Sequence, residues 1–177
     1  MPFDSTENER GLDRLLVAQV YDELRRIVRV HLKKNERPNH SLSPTDAVHE
    51  VVLRLAKSSA SANDEAHLRA LASKALRQLL VDHARRRNAQ RRGGGRTPIT
   101  LIDGMAIAPT GEVDLLDLHE ALDRLAEQRP RQAEVVELRF FGGLGFREIG
   151  EAMQVRADTA KEYWVFARAW LQRELSR

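Results

Sequence analysis

His49 and Glu50 stand side by side in the run PTDAVHEVVLRL, which matches the opening of the His-Glu-x-x-His pattern of a zinc-protease helix. That chemistry needs a second imidazole one turn further on, and position 53 is Leu, so the metalloprotease reading fails. The other histidines, at 31, 40, 67, 83 and 119, are scattered without ligand spacing. The chain has no Cys, which removes disulfides, thiolate metal sites and a cysteine nucleophile. Gly93-Gly94-Gly95-Arg96 lacks the Gly-Lys-Ser/Thr ending of a phosphate loop and follows a helical pattern rather than a strand, so it reads as a linker. No paired carboxylates and no nucleophile with its base survive inspection. An enzyme is not expected, and neither a metal nor a cofactor is required.

Cations in a row carry more. Arg85, Arg86 and Arg87 continue a helical pattern that already holds Arg69, Lys74 and Arg77, with Asp82 the only acid between Arg69 and Arg96. Such a helix attracts phosphates through contacts that salt weakens steeply, although the same composition also suits a solvated basic helix end. It lacks the aromatic platforms on which single-strand binders stack bases. Residues 1–96 hold 19 Lys and Arg against 12 Asp and Glu, a balance of +7, whereas residues 97–177 hold 10 against 14, or −4. The basic half points to a polyanion partner. In residues 97–128 the only base is Arg124, set against Asp103, Glu112, Asp114, Asp117, Glu120, Asp123 and Glu127.

The C-terminal pattern is the most specific: a short helix FREIGEAM, a three-residue break at Gln154-Val155-Arg156, and a longer helix. This is helix-turn-helix geometry. Ile149 and Ala152 would pack against Val155, Ala160 and Trp164, with Ala167 and Leu171 continuing the inner stripe. The outer face then offers Arg156, Thr159, Lys161, Glu162 and Tyr163 to a major groove. A plain helical hairpin in a bundle is the alternative.

The elements that must position these groups are helical. Leu12, Leu15, Leu16, Val20, Leu24, Ile27 and Val28 mark a first helix, and a turn-rich stretch follows at Asn35–Ser43. Ser43-Pro44 opens a second helix to about Lys57, with Ala47, Val48, Val51, Val52 and Leu55 inward and His49, Glu50 and Arg54 elsewhere. Asn63 or Asp64 can cap a third, which reaches to about Ala89. A further helical pattern starts around Glu112 and stops before Pro130, and Arg131–Phe140 and the two helices of the C-terminal motif complete the chain. No strand is expected. The fold class is all-α: an N-terminal helical bundle over residues 1–92, a flexible linker over 93–111 and a C-terminal helix-turn-helix unit over 112–177. No apolar run approaches the roughly 20 residues of a membrane helix, and the polar, acidic N-terminus does not suit a signal peptide, so a cytoplasmic protein is expected.

The runs SLSPTDAVHEVVLRL, LRQLLVDHARRRNAQRRGGG and ELRFFGGLGFREIGEAM, with ARAWLQREL, together resemble the extracytoplasmic-function type of sigma factor of bacterial RNA polymerase, from about Leu12 to Leu175. The resemblance implies two helical domains that bind core RNA polymerase and direct it to promoter DNA without catalysing a reaction. By similarity, Asp46, His49, Glu50 and Arg54 would dock on the clamp helices of the largest polymerase subunit. The helix from Leu68 to Arg87 would hold the minus-ten element and its unwound strand, and the linker would pass through the catalytic cleft toward the RNA exit channel. The last helix would read the minus-thirty-five element.

Three departures from the family pattern matter. Many relatives open the polymerase-binding helix with an acidic cluster of the form Asp-Ala-Glu-Asp, where this chain has Ser43, Pro44, Thr45 and Asp46. Some subgroups lacking that cluster are switched on by a Ser/Thr kinase, because a phosphate supplies about −1.5 to −2 charges. Thr45, or else Ser43, is therefore a candidate phosphorylation site, and a simple capping role is its alternative. The Leu68–Leu80 segment lacks the aromatic cluster that many relatives use for strand opening. At the recognition helix, Arg156 replaces the usual small polar cap and Ala160 the usual Val, for which Asp158 or a shifted start would compensate. A kinase or an anti-sigma protein would suit the chain as regulator. The competing function is a stand-alone helix-turn-helix regulator or adaptor that never engages polymerase.

Overall fold

The computed structural model describes residues 21–22, 24–29, 31, 42–57, 65–90, 98–100 and 112–176. The first half of helix one, the 35–41 turn, the Asn63 and Asp64 caps and most of the expected linker lie outside them. The helical residues 21–22, 24–29 and 31 form α1, followed by α2 (Pro44–Lys57) and α3 (Glu65–Gln90). The C-terminal unit contains α4 (Leu115–Gln128), α5 (Pro130–Phe140), α6 (Phe146–Met153) and α7 (Ala157–Leu175). Among the described residues the protein is all-α apart from one short ribbon. In it, β1 (Pro98–Thr100) pairs antiparallel with β2 (Glu112–Asp114), with Ile99 opposite Val113.

That ribbon corrects the expectation of no strand, and it moves the start of α4. Asp114 is extended (φ −68°, ψ 133°), and its carboxylate accepts from the Leu116 and Asp117 N–H groups. It is thus the cap of the helix rather than part of it, and it satisfies donors that the helix itself leaves free. In α2 the Ser43 hydroxyl accepts from the Asp46 N–H at 3.1 Å, while Pro44 occupies a first-turn position where no N–H is needed. Pro130 plays the same part in α5.

In the N-terminal unit, α2 packs on α3 and buries Ala47, Val48 and Val51 against Leu68, Ala72, Leu76, Leu79 and Leu80. In the C-terminal unit, α4, α5 and α6 all contact α7, which buries Ala160, Trp164, Ala167 and Leu171, the stripe expected from its spacing. The helix-turn-helix break is made by Gln154 in the left-handed conformation (φ 56°), which lets the Val155 N–H reach the Gly150 carbonyl at 2.9 Å. Gly150 has no room for a side chain, since a Cβ there would lie 2.8 Å from the Val155 carbonyl oxygen. α7 starts at Ala157 without a shift. Arg156 stands at its cap with no side-chain cap bond, and Asp158 in the first turn faces the helix dipole instead.

The two units are not separate bodies. α3 is in contact with α4, α5 and α6, and the buried apolar residues of both units form one continuous cluster.

Candidate nucleic-acid and polymerase interfaces

On α2, residues 46, 49, 50, 53 and 54 fall at helical spacings that put them on one face. Asp46 and His49 are exposed, while Glu50 and Arg54 are partly covered. Arg54 Nε donates to Glu50 Oε1 at 3.1 Å and its Nη2 to Asp82 Oδ2 at 3.1 Å, so α3 fixes the guanidinium in place. His49 Nε2 lies 3.3 Å from the Tyr21 hydroxyl. Between them Leu53 is 52% exposed, on a helix that buries Val48 and Val51 and partly covers Val52 and Leu55. The expected polymerase residues are therefore brought together, around an apolar centre that sequence reasoning missed. Leu53 is visible in the sequence only as a position off the inward stripe.

On α3 the cations divide into two groups. Arg85, Arg86 and Lys74 are exposed, and Arg87 is partly so. Arg69 and Arg77 point into the C-terminal unit. The Arg77 side chain is 10% exposed, and its Nη2 donates to Asp123 Oδ1 at 2.6 Å, to the His119 carbonyl at 3.1 Å and to His119 Nδ1 at 2.7 Å. Its Nη1 lies 3.5 Å from Glu137 Oε1. Burial and, after it, the Arg77 charge hold His119 below the ordinary imidazole range, consistent with a neutral ring whose Nδ1 accepts. Burial pushes the Glu137 carboxyl above the usual carboxylate range, against the pull of Arg77 and Lys74. Arg69 pairs with Glu65 at 2.8 Å and with Glu148 on α6. The other oxygen of Glu148 accepts from the Gly145 N–H at 2.7 Å, so one carboxylate closes the start of α6 and holds α3 at the same time.

Apolar contacts reinforce this joint. His31 Nε2 donates to the Phe140 carbonyl at 2.9 Å, with its ring 5.2 Å from that of Phe140 and 5.8 Å from that of Phe141. The turn Phe141-Gly142-Gly143 lies between α1 and α3, and a Cβ on Gly143 would come within 2.9 Å of Ile27 Cδ1.

On α7 the expected reading residues share the outward side. Arg156, Lys161 and Glu162 are exposed and Thr159 and Tyr163 partly so, with Arg156 Nη2 3.5 Å from Asp158 Oδ2. One turn beyond Glu162, Val165 is 59% and Phe166 44% exposed, and Arg129 stacks over the Phe166 ring at 5.6 Å. Neither stands out in the sequence, because both sit outside the buried stripe. Arg139 has a structural place: it donates to the Leu144 carbonyl at 3.2 Å and covers the Phe146 ring at 4.2 Å and the Trp164 ring at 5.4 Å. Among the described residues no group of three or more His, Asp or Glu side chains could hold a metal ion, and no helix is long and apolar enough to cross a membrane.

The family model for ECF sigma factors matches residues 8–177. The chain belongs to the ECF sigma factor family. ECF sigma factors work with core RNA polymerase and promoter DNA, and the family is one of transcription factors rather than enzymes. No curated protein matches the chain. Among solved structures it is similar to the sigma factor RpoE of Bartonella quintana, described in a co-crystal structure with the anti-sigma factor NepR, at 19% identity over 94% of this chain and 98% of that one, with a TM-score of 0.40.

Proposed function

We propose that this sigma factor divides its work among three surfaces. Asp46, His49, Glu50, Leu53 and Arg54 on α2 dock on core polymerase. Arg85, Arg86 and Arg87, with Lys74, Arg69 and Arg77, hold the minus-ten region through its phosphates. Arg156, Thr159, Lys161 and Glu162 enter the major groove at the minus-thirty-five region, where Glu162 can accept from a cytosine amino group. The corresponding units are residues 1–92 and 112–177, joined by 93–111. The observation that supports this reading best is the helix-turn-helix whose second helix leaves Arg156, Lys161 and Glu162 exposed at its start while Ala160, Trp164, Ala167 and Leu171 are buried on its inner side.

Polymerase docking is completed by phosphorylation at Thr45. The Ser43 hydroxyl is engaged as a cap, accepting from the Asp46 N–H and donating to Asp46 Oδ2 at 2.6 Å, which leaves Thr45 the better acceptor. A phosphate in the first turn of α2 would restore the missing negative charge at the positive end of the helix dipole. A Ser/Thr kinase is then the regulator. An anti-sigma protein is the other candidate.

Run-off transcription with purified bacterial core polymerase on a panel of genomic promoters, comparing wild type with Thr45→Glu, tests both levels. Activity of the glutamate form alone supports the sigma factor role and the phosphoswitch. Activity of the wild type at the same level reduces Thr45 to a helix-end residue. Silence of both forms leaves the stand-alone regulator.

A further inference from the structure

Among the described residues three large apolar side chains are exposed, and two of them, Val165 and Phe166, are neighbours on α7. Their place on the helix is specific. Ala160, Trp164, Ala167 and Leu171 form the buried stripe, and at about 100° per residue the line opposite it passes through Asp158, Glu162, Ala169 and Arg173. Val165 and Phe166 flank that line, one on each side, and Ala169 on it is exposed as well. The middle of the outer face therefore changes along its length from carboxylate to apolar to cation. Lys161 and Glu162, which are proposed to enter the major groove, lie one turn before the apolar part.

The surroundings select the occupant. Arg129 covers the Phe166 ring at 5.6 Å. Arg131, whose Nη1 reaches the Met153 carbonyl at 3.3 Å, and Arg156 are exposed beside the helix-turn-helix break, and Lys161 and Arg173 are exposed on α7 itself. Residues 129–177 hold 9 Lys and Arg against 7 Asp and Glu, so the acid excess of the second half of the chain lies entirely before them. The apolar part spans about one helical turn, or about 6 Å, whereas a stable protein interface covers about 800 Å² on each partner. A small apolar spot among cations suits a phosphate-lined groove better. Valine and phenylalanine can neither donate nor accept a hydrogen bond, and the apolar group that a base pair displays in the major groove is the 5-methyl of thymine.

We propose that Val165 and Phe166 are specificity-determining residues that pack on thymine 5-methyl groups, so that one turn of α7 reads polar base edges and the next reads thymine. This rests on the reading of α7 as the helix that enters the major groove. Glu162 and Phe166 are four residues apart, about 6 Å along the helix axis, which matches about two base steps of roughly 3.4 Å. The thymines therefore lie within about two base pairs of the position that Glu162 reads.

The test starts from randomised upstream duplexes selected with the full-length protein assembled with core polymerase. The selected element is then bound again with deoxyuridine in place of each thymine in turn, a change that removes only the 5-methyl. We expect thymine to be enriched within about two base pairs of the position whose preference Glu162→Ala alters, and deoxyuridine there to weaken binding about fourfold, the equivalent of one buried methyl. Val165→Ser with Phe166→Ser should bind the thymine and deoxyuridine forms equally. Val165→Thr, which keeps a methyl in nearly the same shape, should retain most of the difference. Both side chains are exposed, so circular dichroism should show the same fold for every variant. Absence of thymine enrichment, or a deoxyuridine penalty that the double serine variant retains, overturns the proposal and leaves the role of Glu162 standing. A double serine variant that loses polymerase binding or changes oligomeric state while keeping its thymine preference assigns the patch to a protein contact and overturns it too. If Lys161→Ala and Glu162→Ala also leave the selected element unchanged, α7 is not the reading helix and the functional reading of it fails as well.

Discussion

Gly142 lies flat against Ser73, and a Cβ on it would run into the Ser73 hydroxyl and come 2.6 Å from Leu144 Cδ1. The first neighbour belongs to α3, so the glycine is needed for the approach of the two units as well as for its own turn. Gly142→Ala should cost about 1–3 kcal/mol by overpacking. Ser73→Ala removes the hydroxyl, and in the Gly142→Ala background it should recover part of that loss. A double-mutant cycle from chemical denaturation reads the coupling. Additive effects would place the strain against the Leu138 carbonyl and Leu144, within α5 and the turn that follows it.

What the sequence discloses is local. The bounds of α2 follow from Ser43-Pro44 and the apolar period after it, and the buried side of α7 follows from Ala160, Trp164, Ala167 and Leu171 at helical steps. The start of α4 is hidden because Val113, Leu115 and Leu116 carry the apolar pattern straight through the cap, and a strand of three residues is too short to show a period of two. The α3 joint is beyond local pattern altogether. Its pairs are separated by 46, 60 and 79 residues, and no spacing rule links Arg77 to Asp123 or Glu137, or Arg69 to Glu148. Only the opposed charge of the two halves points to it, and that signal taken alone suggests an external polyanion. The α2 and α7 residues expected at interfaces do come to the surface together, but Leu53, Val165 and Phe166 among them show only once burial is known.

Asp114 gives the cleanest test of the α4 boundary. Its carboxylate serves two N–H groups, at 2.9 Å for Leu116 and 3.4 Å for Asp117. Asp114→Ala should lower stability by about 1 kcal/mol, and Asp114→Asn, which retains an acceptor, by much less. Urea denaturation followed by far-UV circular dichroism measures both. Equal losses would show that charge near the helix dipole, rather than the cap bond, is what Asp114 contributes.

His83 on α3 should make stability depend on pH. Burial first, then Arg87 and Arg86, hold its imidazole below the ordinary range, so the unfolded chain, at about 6.5, binds the proton more readily than the folded one. This contribution is therefore whole above about pH 6.5 and is lost as the pH falls from there through the lower folded value. His119 shifts in the same direction, for burial and Arg77, and adds to the fall. An NMR titration of the ring protons should give His83 a midpoint under about 6.5. Arg86→Ala with Arg87→Ala should raise it part of the way, because the burial remains. A wild-type midpoint at or above about 6.5 would contradict the placement of the ring.

The exposed arginines and the outer face of α7 should fail in different ways. Arg85→Ala, Arg86→Ala and Arg87→Ala together remove charge without removing any base-reading group. Promoter binding should then weaken on every sequence alike, and the slope of log affinity against log salt should shrink by about 2–3, close to 0.9 for each phosphate that is no longer neutralised. Lys161→Ala or Glu162→Ala should leave that slope nearly unchanged and instead alter which upstream bases are preferred, by about 1–3 kcal/mol at the affected position. Binding selections with a randomised upstream element, run in parallel with salt titrations on one fixed promoter, separate the two behaviours. Should the triple variant keep both its affinity and its salt slope, the end of α3 is a solvated helix terminus and the minus-ten contacts must be sought on Arg69, Lys74 and Arg77 alone.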